Sequence, residues 1–223
     1  MYENIILIPY RNRERHLKYF IDNTVPLIQK YLPNTKVVVI EQEEGKEFNR
    51  GCVLNVGFKE YENNTKYFIT QDVDINPSLE VIKNVYTKKD IEMLRIKSAH
   101  AISLGGIIKA KHDVVFNING FPNYIWGWGI EDRALYFRCC IRNISITDNP
   151  IKSFTTMPHQ SNAIPYKGEK KKISDIWSKN NIDTLNNEQK EELISNSGLN
   201  NINYEILVKK SLHPIVELIK VSI

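Results

Sequence analysis

A disulfide framework is out of reach for this chain, because its 223 residues include only three cysteines, Cys52, Cys139 and Cys140. Two of them are sequence neighbours, which rarely bridge each other, so a reducing compartment is the expected setting. Long apolar runs are missing as well. The N-terminal stretch "MYENIILIPYRNRERH" holds an apolar run of about five residues, short of a signal-peptide core and of the roughly 18 residues a membrane-spanning helix needs. The expectation is a chain with no membrane segment. Charge of one sign is scarce too, since 30 basic against 26 acidic residues leave +4. That balance, with no aromatic-basic repeat, argues against nucleic acid as a partner and leaves room for an anionic small molecule. Internal repeats and low-complexity tracts are absent.

What is present reads as alternating strands and helices. "NIILIPY" and "TKVVVIEQ" are short, β-branched runs of the kind buried in a parallel sheet. Between them "HLKYFIDNTVPLIQKYL" carries apolar residues at helical spacing. "CVLNVGFKEY" reads as a second helix and "KYFITQDVD" as a third strand. The order β-α-β-α-β predicts an α/β fold with a doubly wound, mostly parallel sheet flanked by helices, and a ligand beyond the carboxyl ends of its strands. "SLGGIIKAKHDVVFNINGF" predicts a strand, a turn and a short helix, and "EDRALYFRCCIRNI" a largely buried helix with Glu131 and Asp132 in its first turn. "YKGEKKKISDIWSKNNIDTLNNEQKEE" is polar and Asn-rich, as a surface excursion would be, with "KGEKKK" a solvated charged face. "INYEILVKK" and "PIVELIKVSI" are late strands returning to the core.

The residues able to carry chemistry gather at the predicted strand ends. Asp72 and Asp74, spaced i and i+2, would project to one side of an extended chain and offer hard oxygen ligands to Mn²⁺ or Mg²⁺. An isolated D-x-D is equally compatible with a polar loop capping a strand. Arg11 and Arg13 follow the first strand and could grip phosphate oxygens in bidentate fashion, or simply open a solvated helix. Phe48 and Arg50 in "FNRG" suit a base and a phosphate, or an ordinary loop with one core Phe. In "GFPNYIWGWGIEDRALYFR", Trp126 and Trp128 flank Gly127, and a loop of that kind can lay indoles on a sugar face. Glu131 and Asp132 could then orient an acceptor hydroxyl and take its proton; as plain first-turn residues they would be favoured by the helix dipole. His159 is a possible further metal ligand.

Taken together these pieces resemble the β-1,4-galactosyltransferase family of metal-dependent, inverting sugar transferases with a GT-A fold. The matching stretches are "IPYRNRERHLKYF", "FNRGCVLNVGF", "DVDINP", "GG" at 105 and 106, "INGFPNYIWGWGIED" and "GLNNINYEIL". They follow the family's order and cover nearly the whole chain. The resemblance implies one GT-A domain over residues 1–223, with a nucleotide-sugar half at about 1–110 and an acceptor-side half at about 111–223. It implies that Pro9, Arg11, Arg13, Phe48 and Arg50 bind uridine diphosphate, with Asp72, Val73 and Gly106 also on the nucleotide sugar. Asp74 and His159 would ligate Mn²⁺, with Mg²⁺ as the alternative. Trp128 would ride the loop that closes over the donor. Glu131 and Asp132 would hold the acceptor sugar, Asp132 at the base position. The implied reaction moves a hexose, galactose first among them, from a UDP-sugar to a hydroxyl of an acceptor glycan with a β-linkage, β-1,4 in the family.

Several positions depart from the family pattern. Its "GGEDDD" type of loop reads "GIEDRA" here, so Ile130 replaces a glycine and is expected to stiffen the loop, and Arg133 sets a positive charge beside the base. Thr156 stands where relatives carry a Met, with Met157 one place off. Ser103 replaces a bulky aromatic and would admit UDP-N-acetylgalactosamine. These departures keep open a catalytically silent sugar- or nucleotide-sugar-binding module. Asn, Lys and Ile richness points to an AT-rich genome, and so to a bacterial or viral cytoplasmic protein in preference to one of the Golgi lumen.

Overall fold

The computed structural model describes residues 1–98, 100–151, 153–158 and 166–223. Strand β1 (Tyr2–Tyr10) lies between β2 (Thr35–Gln42) and β3 (Thr65–Gln71), parallel to both. Its continuous apolar run follows from cover on both faces. Ile5 and Leu7 enter one core cluster with Val38 and Ile40, while Ile6 and Ile8 enter the opposite one with Val37 and Val39, the alternation a strand imposes.

Between β1 and β2 the predicted helix forms as α1 (Glu14–Tyr19), a π-helical segment Phe20–Thr24, and α2 (Val25–Tyr31). The interruption has a covalent cause: Pro26 sits at the start of α2 and has no N–H to donate to the preceding turn. Helix α3 (Arg50–Glu60) is capped by Asn49, whose side chain accepts from the Cys52 N–H at 2.9 Å. After β3 come β4 (Ile75–Pro77), the short α4 (Leu79–Val81), β5 (Met93–Lys97), β6 (Ile107–Lys111) and α5 (His112–Asn117). Then follow α6 (Glu131–Ile141), β7 (Ile146–Asp148) and β8 (Phe154–Thr156). Helices α7 (Gly168–Ile176), α8 (Lys179–Thr184) and α9 (Asn187–Ser195) lead to β9 (Glu205–His213) and β10 (Val216–Ser222).

The large sheet runs β7-β5-β6-β3-β1-β2-β10-β9. Its centre is parallel as expected, but β3–β6, β5–β6 and β9–β10 are antiparallel, giving a mixed sheet. Among its described residues the connection from β5 to β6 contains no helix, and without a crossover a neighbouring strand returns antiparallel. β10 rejoins the core, whereas β9 forms an exposed edge. The segment expected as a surface excursion also differs. α7 has no fully buried residue, although Ile173 packs on a third core cluster, and Trp177 just after it is 0% exposed and donates from Nε1 to the Tyr124 hydroxyl at 2.9 Å, closing that cluster over α6.

Candidate active site

The carboxyl ends of β1, β2 and β3 and the first turns of α3 and α6 converge on one edge of the sheet. Asp72–Asp74 leave β3 in a turn closed by the Ile75 N–H to the Asp72 carbonyl at 3.1 Å. The D-x-D pair therefore lies on a turn and not on an extended strand. Arg50, in the first turn of α3, joins the pieces: Nε donates to Asp72 Oδ1 at 2.8 Å and Nη1 to Asp132 Oδ1 at 3.0 Å.

The adjacent glycines make this approach possible. Leu104 donates its N–H to the Asp132 carbonyl at 3.0 Å, and a Cβ on Gly105 would fall 1.8 Å from Asp132 Oδ2. Gly106 is left-handed, with φ +70°, and its carbonyl accepts from the Asp72 N–H at 3.0 Å. The "GG" pair thus seats Asp132 on one side and Asp72 on the other.

Three carboxyls crowd one guanidinium here. Burial works against the charge on Arg50, but Asp72, Asp132 and Glu131 outweigh it and raise its pKa. Asp72 is raised by burial, with Arg50 opposing and Asp132 adding to the rise. Glu131 is pushed up to about 8, first by burial and then by Asp132. Its Oε2 is buried with no hydrogen-bond partner among the described residues, which leaves an acid able to donate to an incoming hydroxyl near neutral pH.

A carboxyl whose folded pKa lies above its ordinary 4.5 favours the fold as the neutral acid, and that contribution is lost as pH rises from about 4.5 through about 8. Glu131→Gln should match the parent in denaturant unfolding near pH 4 and be the more stable protein above pH 8. Parallel stability curves across that range would show that Glu131 ionises freely.

The donor-side residues are assembled in part. Pro9 is buried in β1. Arg11 lies over the Phe48 ring at 5.2 Å and donates to the Lys46 carbonyl at 2.7 Å. Arg13 occupies the N-cap position of α1 without a side-chain cap bond, and Val73 is buried in the turn. Ser103 is buried, its carbonyl accepting from Ser98 Oγ at 3.0 Å. Thr156 pairs with Ile75, and the Met157 N–H donates to the Asp74 carbonyl at 2.8 Å. His159 lies outside the described residues. Among those described, no group of three or more His, Cys, Asp or Glu is arranged to hold a metal.

The tryptophan loop closes the other side. Gly127 donates its N–H to the Phe48 carbonyl at 2.9 Å, Lys46 lies 5.7 Å from the Trp126 ring, and Trp128 stands 55% exposed. Ile130 has φ +83°, a left-handed conformation costly for a β-branched residue. Its side chain is 4% exposed among Ile125, Phe137 and Trp177, and that packing holds the strained backbone. Arg133 turns away from Asp132, donating from Nη2 to the Ser174 carbonyl at 3.0 Å.

Sequence reasoning missed the frame behind these residues. Asn55 donates to the Phe121 carbonyl at 2.7 Å and accepts from the Phe121 N–H at 2.9 Å, and Asn49 donates to the Asn123 carbonyl at 2.7 Å. These bonds lock α3 to the loop that leads to α6. The signal on offer is an Asn two residues before a Gly at 49 and 55, and Asn123 directly after Pro122.

Two family models match consecutively: the N-terminal region of glycosyl transferase group 7 over residues 1–89 and the N-terminal domain of galactosyltransferase over residues 87–160. Human β-1,4-galactosyltransferase 4 is 36% identical over 152 residues, covering 64% of this chain and 44% of that protein. Rat β-1,4-galactosyltransferase 6 is 31% identical over 195 residues, covering 82% and 50%. The chain spans about half the length of the curated relatives it matches. The catalytic domain of Drosophila β1,4-galactosyltransferase 7, solved with xylobiose, superposes with a TM-score of 0.80 at 20% identity over 100% of this chain and 94% of that one. A mutant of the same Drosophila protein, solved with manganese, UDP-Gal and xylobiose, gives 0.79 at 19% identity, with the same two coverages. The fold is accordingly of GT-A type.

These relatives correct the expectation of a bacterial or viral cytoplasmic protein, because the similar proteins are animal β-1,4-galactosyltransferases. The compositional bias that prompted it carries no weight against that match. No helix among the described residues is long and apolar enough to cross a membrane.

Proposed function

This chain belongs to the β-1,4-galactosyltransferase family of group 7 glycosyltransferases, and from that premise we propose that it transfers galactose from UDP-galactose to a hydroxyl of an acceptor sugar, with inversion and a β-1,4 linkage. The observation that carries the reading is the Arg50 bridge, which joins a carboxylate at the end of β3 to one at the start of α6. Donor-side and acceptor-side chemistry meet there. In this reading residues 1–223 form one domain, its donor half at about 1–110 and its acceptor half at about 111–223.

Arg11, Arg13 and Arg50 face the diphosphate, with Pro9, Phe48, Val73 and Gly106 along the nucleotide sugar. Glu131 holds the acceptor hydroxyl. Asp132 accepts its proton as the oxygen attacks the anomeric carbon and the bond to UDP breaks. Trp128 covers the donor and keeps water out.

The donor set fits a divalent cation. Asp74 offers a hard carboxylate at the strand end, and the Met157–Asp74 backbone bond brings the chain just before His159 alongside it. Manganese bound by Asp74 and His159 would supply positive charge that stabilises the departing diphosphate.

The test is UDP release from UDP-galactose and UDP-N-acetylgalactosamine, with xylose, glucose and N-acetylglucosamine as acceptors, in Mn²⁺ and in EDTA. Release that requires Mn²⁺ and favours UDP-galactose is the expected result. A preference for N-acetylgalactosamine would assign the donor choice to Ser103. Manganese-dependent UDP binding with no release from either donor would overturn transfer and leave a nucleotide-sugar-binding module.

A further inference from the structure

We infer that Arg50 is the positioning residue of the base: its guanidinium fixes the Asp132 carboxylate for the acceptor hydroxyl and ties that orientation to the donor side through Asp72. The inference rests on the reading of Asp132 as the base and adds a role that phosphate contact does not require.

A carboxylate in the first turn of a helix can rotate about two torsions and would by default turn towards water. Here Oδ1 is held by a bond and Oδ2 has room over a bare backbone. Oδ1 accepts from Arg50 Nη1 at 3.0 Å, and Oδ2 lies where a Cβ on Gly105 would stand, 1.8 Å from that point. Arg50 is itself held. Its side chain is 11% exposed and its Nε is bound to Asp72 Oδ1 at 2.8 Å. It rides the end of α3 that Asn49 fastens to the Asn123 carbonyl.

A planar fork is what this task needs. One guanidinium reaches two carboxylates with separate N–H groups in a fixed plane, whereas a lysine ammonium is a point charge on a flexible stem. Nη2 remains buried without a hydrogen-bond partner among the described residues, a donor left over for the substrate. Because Asp72 and Asp132 share one cation, Arg50 cannot shift towards one without loosening its hold on the other.

The test compares Arg50→Lys, Arg50→Ala and Asp132→Asn in the full chain. It measures kcat and KM for UDP-galactose and acceptor, and manganese-dependent UDP binding by calorimetry. Arg50→Lys keeps the charge and is expected to lower kcat about 100-fold, the cost of a misplaced reacting group, a loss well beyond any it causes in UDP affinity. Added guanidinium should recover at least about tenfold of the kcat lost in Arg50→Ala and nothing in Asp132→Asn.

A kcat for Arg50→Lys close to the parent's, or a loss confined to UDP affinity, would overturn the inference and leave Arg50 a phosphate ligand. If Arg50→Ala does not fold, the kcat and KM of Arg50→Lys decide alone. A parent that releases no UDP, or an Asp132→Asn variant with unchanged kcat, would overturn the base itself and this inference with it.

Discussion

Asp132→Asn is expected to lower the rate of galactosyl transfer by about 10²–10⁴-fold, the usual contribution of a positioned general base, while leaving manganese-dependent UDP binding intact. The substitution is close to isosteric. The asparagine carbonyl can still accept from Arg50 Nη1, now 3.0 Å from Asp132 Oδ1, and its amide can lie over the bare Gly105 backbone as Oδ2 does. Arg50 also keeps Asp72 as a partner, so its charge is not left unpaired. What disappears is the proton acceptor. Single-turnover UDP release alongside calorimetric UDP binding separates the two effects. A variant that turns over within a few-fold of the parent would mean the acceptor proton leaves by another route, and Glu131, whose Oε2 has no partner among the described residues, would become the group to test.

The parts of this site legible in the sequence are those whose physics is local. β-branched runs such as "TKVVVIEQ" become buried strands because no other element absorbs them, and β2 spans those eight residues. Glu131 and Asp132 open α6 as expected, because acidic residues suit the positive end of a helix. Long-range pairings left no such trace. Arg50 and Asp132 are 82 residues apart, and nothing in either neighbourhood says that one guanidinium serves both. The antiparallel flank of the sheet leaves little signal, because β5 is a five-residue strand without strict alternation. The polar run around Trp177 reads as solvent, yet its indole enters the core cluster with Ile173 and Ile182 beside α6. Arg133 shows the limit of reading charge from neighbours in sequence. Adjacent residues on a helix point in different directions, and its side chain is taken by Ser174.

Arg138→Met should produce a large loss of stability while leaving the reacting groups untouched. Arg138 is 0% exposed and has no carboxylate partner among the described residues. Its Nη1 donates to the carbonyls of Asn119 at 2.8 Å and Gly120 at 3.0 Å, Nη2 donates to the Ser197 carbonyl, and the guanidinium lies 5.6 Å from the Trp177 ring. Burial lowers its pKa to about 10, so the cation is held at a cost that the carbonyl bonds offset. Methionine fills much of the space and removes that desolvation cost, but it leaves the Gly120 and Ser197 carbonyls buried without the donors they had, each at about 1–3 kcal/mol, while the Asn119 carbonyl keeps the Leu199 N–H at 3.2 Å. The net expectation is a loss of about 3 kcal/mol, roughly 6–12 °C in Tm for a chain of this size. The loop so loosened runs from Ile118 to the Trp126–Trp128 segment, so donor KM should rise before the protein unfolds. Scanning calorimetry with a parallel measurement of donor KM checks both. A Tm within about 2 °C of the parent's would show that water replaces the guanidinium at those carbonyls and that Arg138 does not hold the loop in place.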